Sequence, residues 1–461
     1  MKQKHTKYTI VFILMLLISN VHATTNTKTL NRSNIQNEIK TEDLIINEED
    51  LPLKLADLIY LALERNTQTK IAFKSVKIAE RELASGKSVF YPSINITGSY
   101  QETDGDNYKV KSQIENGAVN LNYNIFSFGK NINKVKALQH YLNSVKYKQD
   151  QTTQNVIYEV VKNYYSLLSL QAQKDAAIET EKASQEAYKS AKLKYKIGIV
   201  PLVDKLKSEN SYSQSKLNRI KTENEIKKQK ASLNLLLNLK PNYVLYIETP
   251  EIDVKKVNKT VNEYIQIALN NRPDLKQLKE DRKSKARNLM SLKLGRLPNI
   301  NLSGHMDVTK NLTKGYRDFP SYNSNQITLS VSIPLFNGFY TYNNIKIAEE
   351  SLKLVDIQIK ELEQSISTEV WNAYYDFDTT QKSYFIAKDL LKTAQESAKV
   401  ELGMYKNSKS SMLDVLNAQK QLENARYEFI YSKYNFLIYR MKLLSVIGKM
   451  NLENIINIDN L

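Results

Sequence analysis

No cysteine occurs among the 461 residues. That absence excludes disulfides, zinc-thiolate sites, thiol nucleophiles and a lipid-modified N-terminal cysteine, so packing and backbone pairing must hold the chain together. Glycine (12) and proline (9) are scarce and unevenly placed, leaving few of the breaks that usually separate domains in a chain this long. Histidine occurs four times, as His5, His22, His140 and His305, with no metal-ligand spacing. No G-x-S-x-G elbow is present, and the one echo of a phosphate loop, ASGKS at 84–88, has Arg81 where the first glycine belongs. Neither an enzyme, nor a cofactor site, nor a metal site is read from these residues.

Long hydrophobic runs are missing too. The longest near the N-terminus, Thr9 to Ile18, is too short to span a bilayer as a helix and follows Lys2, Lys4 and Lys7. With Val21-His22-Ala23 as a small-x-small cleavage signature, it predicts a signal peptide over 1–23 and an exported mature chain starting near Thr24; a retained anchor is the less favoured alternative. The formal charge is +17, and losing those three lysines leaves +14. Export argues against a nucleic-acid partner for this basic chain. In KIAERELASGK and KTAQESAKVELGMYK the charges are interspersed as on solvated helix faces, with attraction to anionic surfaces as the minority reading.

What the chain has is a duplication. YPSINITGSY (Tyr91 to Tyr100) returns 206 residues later as LPNINLSGHM (Leu297 to Met306), and LALERN (Leu61 to Asn66) returns at the same spacing as IALNNR (Ile267 to Arg272). NIFSFGK (Asn124 to Lys130) faces PLFNGFY (Pro334 to Tyr340), and YEVVKNYYSL faces TEVWNAYYDF, both at a spacing of 210 that also sets Tyr195 over Tyr405 and Asp204 over Asp414. The predicted plan is an N-terminal extension (24–52), a first repeat (53–240), a linker (241–258), a second repeat (259–448) and a tail (449–461).

Period-two alternation predicts strands at 92–103, 117–127, 298–309 and 326–336, each with one apolar face and one rich in Asn, Ser and Thr. The stretches 130–197 and 341–406 predict helices of roughly 90 to 100 Å at 1.5 Å per residue. Shorter helices are expected over about Leu55 to Ser88, 202–238, about Val261 to Leu294, and 412–447, with coiled-coil seams such as Ile157, Val161, Tyr164 and Leu168. Tyr91, Tyr100, Tyr108, Tyr123, Tyr316, Phe319, Tyr322 and Phe336 are candidates for aromatic girdles.

Strands with an apolar outer face and an amide-rich inner face suit a membrane barrel, because only a closed barrel satisfies a β backbone in lipid. Four strands cannot close, so several copies must pool them. The alternative is a soluble periplasmic coiled-coil adaptor or interaction protein whose strands form an ordinary β domain.

The helix starts LADLIYLALERN and VNEYIQIALNNRPDL, the strands YPSINITGSY and LPNINLSGHM, SIPLFNG, and MYKNSKSSMLDVLNAQKQLENARYEF together resemble the TolC-like outer-membrane efflux proteins (outer-membrane factors) of Gram-negative bacteria, from Leu53 to about Gly448. That resemblance implies an α+β membrane protein, a homotrimer whose twelve strands form a barrel in outer-membrane lipid and whose coiled-coil helices form a periplasmic tunnel. It implies an exit duct for a tripartite efflux pump or type I secretion system, docked to a periplasmic adaptor and an inner-membrane transporter. It also implies a gate at the helical tip. Tyr405 matches the family's closing tyrosine and Asp414 the first of two ring aspartates, whereas Asn417 stands in place of the second. The gate arginine falls at Ser410 with Lys409 adjacent, and Tyr195 and Asp204 are the first-repeat counterparts. Without the resemblance, Asp414 reads as a helix first-turn acid and Tyr405 as packing.

Overall fold

The computed structural model describes residues 52–105, 110–249, 260–311, 320, 322–451 and 455. The expected signal peptide, nearly all of the 24–52 extension, half of the linker and most of the tail lie outside them, as do Tyr108, Tyr316 and Phe319. The fold belongs to the unit that starts at Pro52.

The first half runs α1 (Leu55–Arg65), α2 (Thr67–Gly86), a 3-10 turn (Lys87–Phe90), β1 (Ser93–Gly105), β2 (Val110–Phe126), α3 (Lys130–Lys196) and α4 (Leu202–Leu236). The second repeats that order as α5 (Val261–Asn271), α6 (Pro273–Leu294), β3 (Asn299–Asn311), β4 (Tyr322–Ser332), α7 (Tyr340–Lys406) and α8 (Met412–Val446). Both α3 and α7 have 67 residues. The backbone carries the duplication more sharply than the side chains do. The positive-φ residues of the described chain fall into four pairs at the 210 spacing: Phe128 with Gly338, Gly129 with Phe339, Gly198 with Ser408, and Asn238 with Gly448.

Four local features depart from the periodic reading. The helix expected from Leu55 to Ser88 breaks at Asn66, whose extended backbone lets its side chain accept from Gln68 N and cap α2. Its counterpart breaks at Arg272, because Pro273 disfavours a helical conformation in the residue before it. Strand β2 starts at Val110 rather than 117, since its ladder with β1 continues to Gly105↔Val110 after side-chain alternation has faded. Conversely, β4 spans Tyr322–Ser332 and stops short of Pro334, which has no N–H to donate to a ladder.

The strands form one antiparallel sheet in the order β1-β2-β3-β4. Its register sorts the faces. Ile96, Val119 and Met306 align across three strands, as do Leu121, Gly304 and Ile327, while Asn95, Asn120, His305 and Gln326 align on the opposite face. The amide face is cross-linked by Asn124 Nδ2 donating to Asn301 Oδ1 (2.7 Å) and by His305 Nδ1 with Asn120 Oδ1 (2.6 Å). The apolar face is bare: Ile96 is 82% and Ile327 77% exposed.

Helices repeat the four-wide arrangement. Nearer the sheet the packing order is α2-α3-α6-α7, and at the other end it is α4-α3-α8-α7. Between these levels α1 and α5 pack on the middles of α3 and α7, building the main core from Leu58, Ile59, Val160, Val161, Tyr264, Val370 and Phe436. The short helices meet end to end there. Asn66 Nδ2 donates to Leu236 O (2.9 Å), and at the equivalent joint a Cβ on Gly448 would lie 2.9 Å from the Arg272 backbone. Arg272 is buried and bonded to Asp274 Oδ2 (2.6 Å) and to Glu369, tying this joint to α7.

Candidate functional site at the helical tip

At the end remote from the sheet, two helix hairpins reverse side by side. The first, α3 to α4, turns through 197–201; the second, α7 to α8, turns through 407–411. Gly198 and Ser408 hold the left-handed conformation that ends each long helix, and the Ile199 and Lys409 amides return to Lys194 O and Met404 O.

The two repeat-equivalent tyrosines have opposite fates. Tyr405 is 2% exposed, packed with Ala191, Met412 and Val415, whereas Tyr195 is 41% exposed. The Tyr405 hydroxyl is buried with no hydrogen-bond partner. Burial, then the negative charge of Asp204, push its pKa up, so Tyr405 remains a neutral phenol. The structure thus brings together Tyr405 and Asp204, which belong to different hairpins and lie 201 positions apart.

Asp414 occupies the third position of α8 in a capping box with Ser411. Its Oδ2 accepts from Ser411 Oγ (2.6 Å) and Ser411 N (3.2 Å), while Asp414 N donates to Ser411 Oγ (3.2 Å). The Ser411 hydroxyl, then the Ser411 backbone N–H, hold the Asp414 carboxyl below its ordinary range, so it stays charged at neutral pH while remaining exposed. Ser410, at the position of the family's arginine, places Oγ 2.8 Å from Glu401 Oε2 and 3.4 Å from Asp414 Oδ2. Lys409 is exposed and forms no ion pair with Asp414. Asn417 is exposed one turn along α8 and lines a polar groove of about 580 Å³ with Asn210, Gln214, Lys420 and Asn424.

A tip residue absent from the sequence reading is Lys194, near the end of α3. Its Nζ lies 2.5 Å from Tyr405 O, 3.3 Å from Ser408 Oγ and 4.2 Å from the centre of the Tyr405 ring. In the sequence it is one of several lysines in KLKYK, with nothing to set it apart.

A sheet with one bare apolar face, open at both edges and joined to long helix hairpins, defines a class of outer-membrane channel subunit. The family model described as outer membrane efflux protein matches this chain twice, over residues 58–239 and 264–449, and the chain belongs to that family. It is similar to "Outer membrane protein TolC" of Escherichia coli (strain K12), at 20% identity over 83% of this chain and 79% of that protein. It is similar also to "Outer membrane efflux protein BepC" of Brucella suis biovar 1, at 20% identity over 87% of this chain and 86% of that one. Among solved structures, the Campylobacter jejuni CmeC outer membrane channel shares the fold with a TM-score of 0.74 at 18% identity, covering 86% of this chain and 85% of that one. The protein is an outer-membrane efflux channel reaching into the periplasm.

Proposed function

We propose that three copies join edge to edge into a twelve-stranded barrel continued by a helical tunnel, and that the tip opens only when an adaptor and an energised inner-membrane transporter dock. The observation that carries this is the matched pair of open edges at every level. One flank presents β1, α2 and α4; the other presents β4 and α7. Each lower helical edge bears an exposed stripe at three-four spacing whose ends are apolar and whose middle is polar: Val203, Leu206, Leu217 and Ile220 around Asn210 and Ser213 on α4, and Ile386, Leu390, Val400 and Met404 around Thr393 and Ser397 on α7. Two different edges on one chain make a heterologous interface, which propagates until it closes into a ring. Strand β4 would meet the next copy's β1 antiparallel, as every other pair in the sheet does. The subunit number, three, follows the family.

In that ring the amide face lines a wet lumen and the apolar face meets lipid. The soluble-adaptor alternative fares worse, because no second sheet covers the apolar face among the described residues. Cargo would pass outward as drugs, toxic solutes or unfolded secreted protein, with the energy supplied by the partner transporter.

At the tip, Tyr405 and Asp204 support a closed contact between hairpins, and Asp414 supports one acidic ring around the entrance. Neutral Asn417 halves the charge the family's two rings would carry, which weakens cation binding. The test is conductance and ion selectivity of the purified oligomer in planar bilayers. Asp414→Asn is expected to weaken block of the current by multivalent cations from the periplasmic side, and an unchanged block would place the acidic ring elsewhere.

A further inference from the structure

We propose that Lys194 is the cationic latch that holds the tip closed, replacing from the first hairpin the arginine that the second hairpin lacks at Ser410. This rests on the reading of the tip as a gate and assigns the residue that holds it. Three contacts converge on one ammonium group: the Tyr405 carbonyl at 2.5 Å, the Ser408 hydroxyl at 3.3 Å and the Tyr405 ring face at 4.2 Å. The carbonyl belongs to the last turn of α7, where it also accepts from Ser408 N (3.0 Å) and where the negative end of the helix dipole favours a cation. Lys194 therefore caps a helix of the other hairpin.

The asymmetry between the repeats supports a dedicated role. The second-repeat counterpart of Lys194 is Met404, which can make neither ionic nor donor contacts, so the tie runs one way, from the first hairpin to the second. Ser408 is the second observation. It holds φ +58°, the left-handed region that its counterpart Gly198 occupies without a Cβ. A serine costs local stability there that a glycine would not, and what it contributes is the hydroxyl that accepts from Lys194. Separating the hairpins must break the ammonium contacts together, because all three partners ride on the α7 end.

Two substitutions divide gating from folding. Lys194→Met keeps the stem length and removes the charge; Ser408→Gly removes one acceptor while relieving backbone strain. Each is measured as the purified oligomer in planar bilayers, beside thermal unfolding by circular dichroism. Lys194→Met is expected to raise the ratio of open to closed time about tenfold, the size of one lost charge-assisted hydrogen bond. Ser408→Gly is expected to raise that ratio by a smaller factor without lowering the melting temperature. Lys194→Arg is expected to stay near the wild-type ratio.

The cysteine-free chain provides a clean control. With Lys194→Cys and Ser408→Cys together, a short bis-methanethiosulfonate reagent couples the two thiols through mixed disulfides, spanning the length of the replaced lysine side chain, and so ties the hairpins in an oxidised form that reduction releases. A lower open fraction when oxidised than when reduced supports the gate, and with a raised open fraction in Lys194→Met it supports the latch. The same oxidised difference with wild-type gating in Lys194→Met overturns the latch and leaves the gate. If a formed cross-link leaves the current unchanged, the gate itself is overturned.

Discussion

Residue identity at the tip matters through burial more than through type. Tyr405 and Tyr195 are the same residue at equivalent places, yet only Tyr405 is enclosed, because it lies where the α7 end packs on Ala191 of α3 and on Met412 and Val415 of α8. Its hydroxyl lacks a partner in a place where a polar group is costly unless bonded. Tyr405→Phe is therefore expected to leave the stability unchanged or raise it, by up to about 1 kcal/mol, and to leave conductance unchanged, because the closed tip loses no bond and keeps the packed ring. Calorimetry and bilayer recording on one preparation check both halves; a lower melting temperature or a raised conductance would show that the hydroxyl is bonded in the closed tip. The sequence placed Tyr405, Asp204 and Asp414 near the two hairpin turns by their spacing. It could not show that Asp414 spends Oδ2 on the Ser411 cap, or that Lys194 reaches across to Tyr405 O, since both depend on how the two turns dock.

At the scale of elements, most boundaries were legible because they follow from local chemistry. The 3.6 and 2.0 periodicities mark α3, α7 and the four strands, and Pro201 and Ser411 mark the starts of α4 and α8. The breaks at Asn66 and Arg272 were not legible, since apolar periodicity runs on through both. At each break a short-helix end from the same repeat must fit: Leu236 O against Asn66, and Gly448 against the Arg272 backbone. Gly448 also holds φ +73°, so Gly448→Ala adds a Cβ to a strained conformation and to a 2.9 Å contact. It is expected to destabilise the protomer on the order of 2 kcal/mol, by cavity-free overpacking and backbone strain together. Denaturant unfolding checks this, and a loss below a few tenths of that value would mean the joint can open without cost.

For the molecule as a whole, the open edges at three levels decide its behaviour. Lipid-facing Ile96, Ile327 and Leu329 and the α4 and α7 seams are exposed in one chain and would be covered in the membrane ring. Leu217→Lys combined with Ile220→Lys puts like charges on the α4 seam without touching the core of the protomer. The expected outcome is loss of the detergent-resistant oligomer, read by cross-linking and sizing, with helical circular dichroism retained. An intact oligomer would show that α4 does not form the joint between copies.

The amino-acid sequence alone determined the two-fold repeat, the strand faces, and the length of α3 and α7. These depend on neighbours a few positions apart, where sterics and hydrophobic periodicity act directly. Only the tertiary structure decided that α4 and α8 end against Asn66 and Arg272, that Tyr405 is enclosed while Tyr195 is not, and that Lys194 meets the last turn of α7. Those pairings join residues some 170 to 210 positions apart, and they are selected by which helix surfaces pack together, a choice that no local pattern encodes.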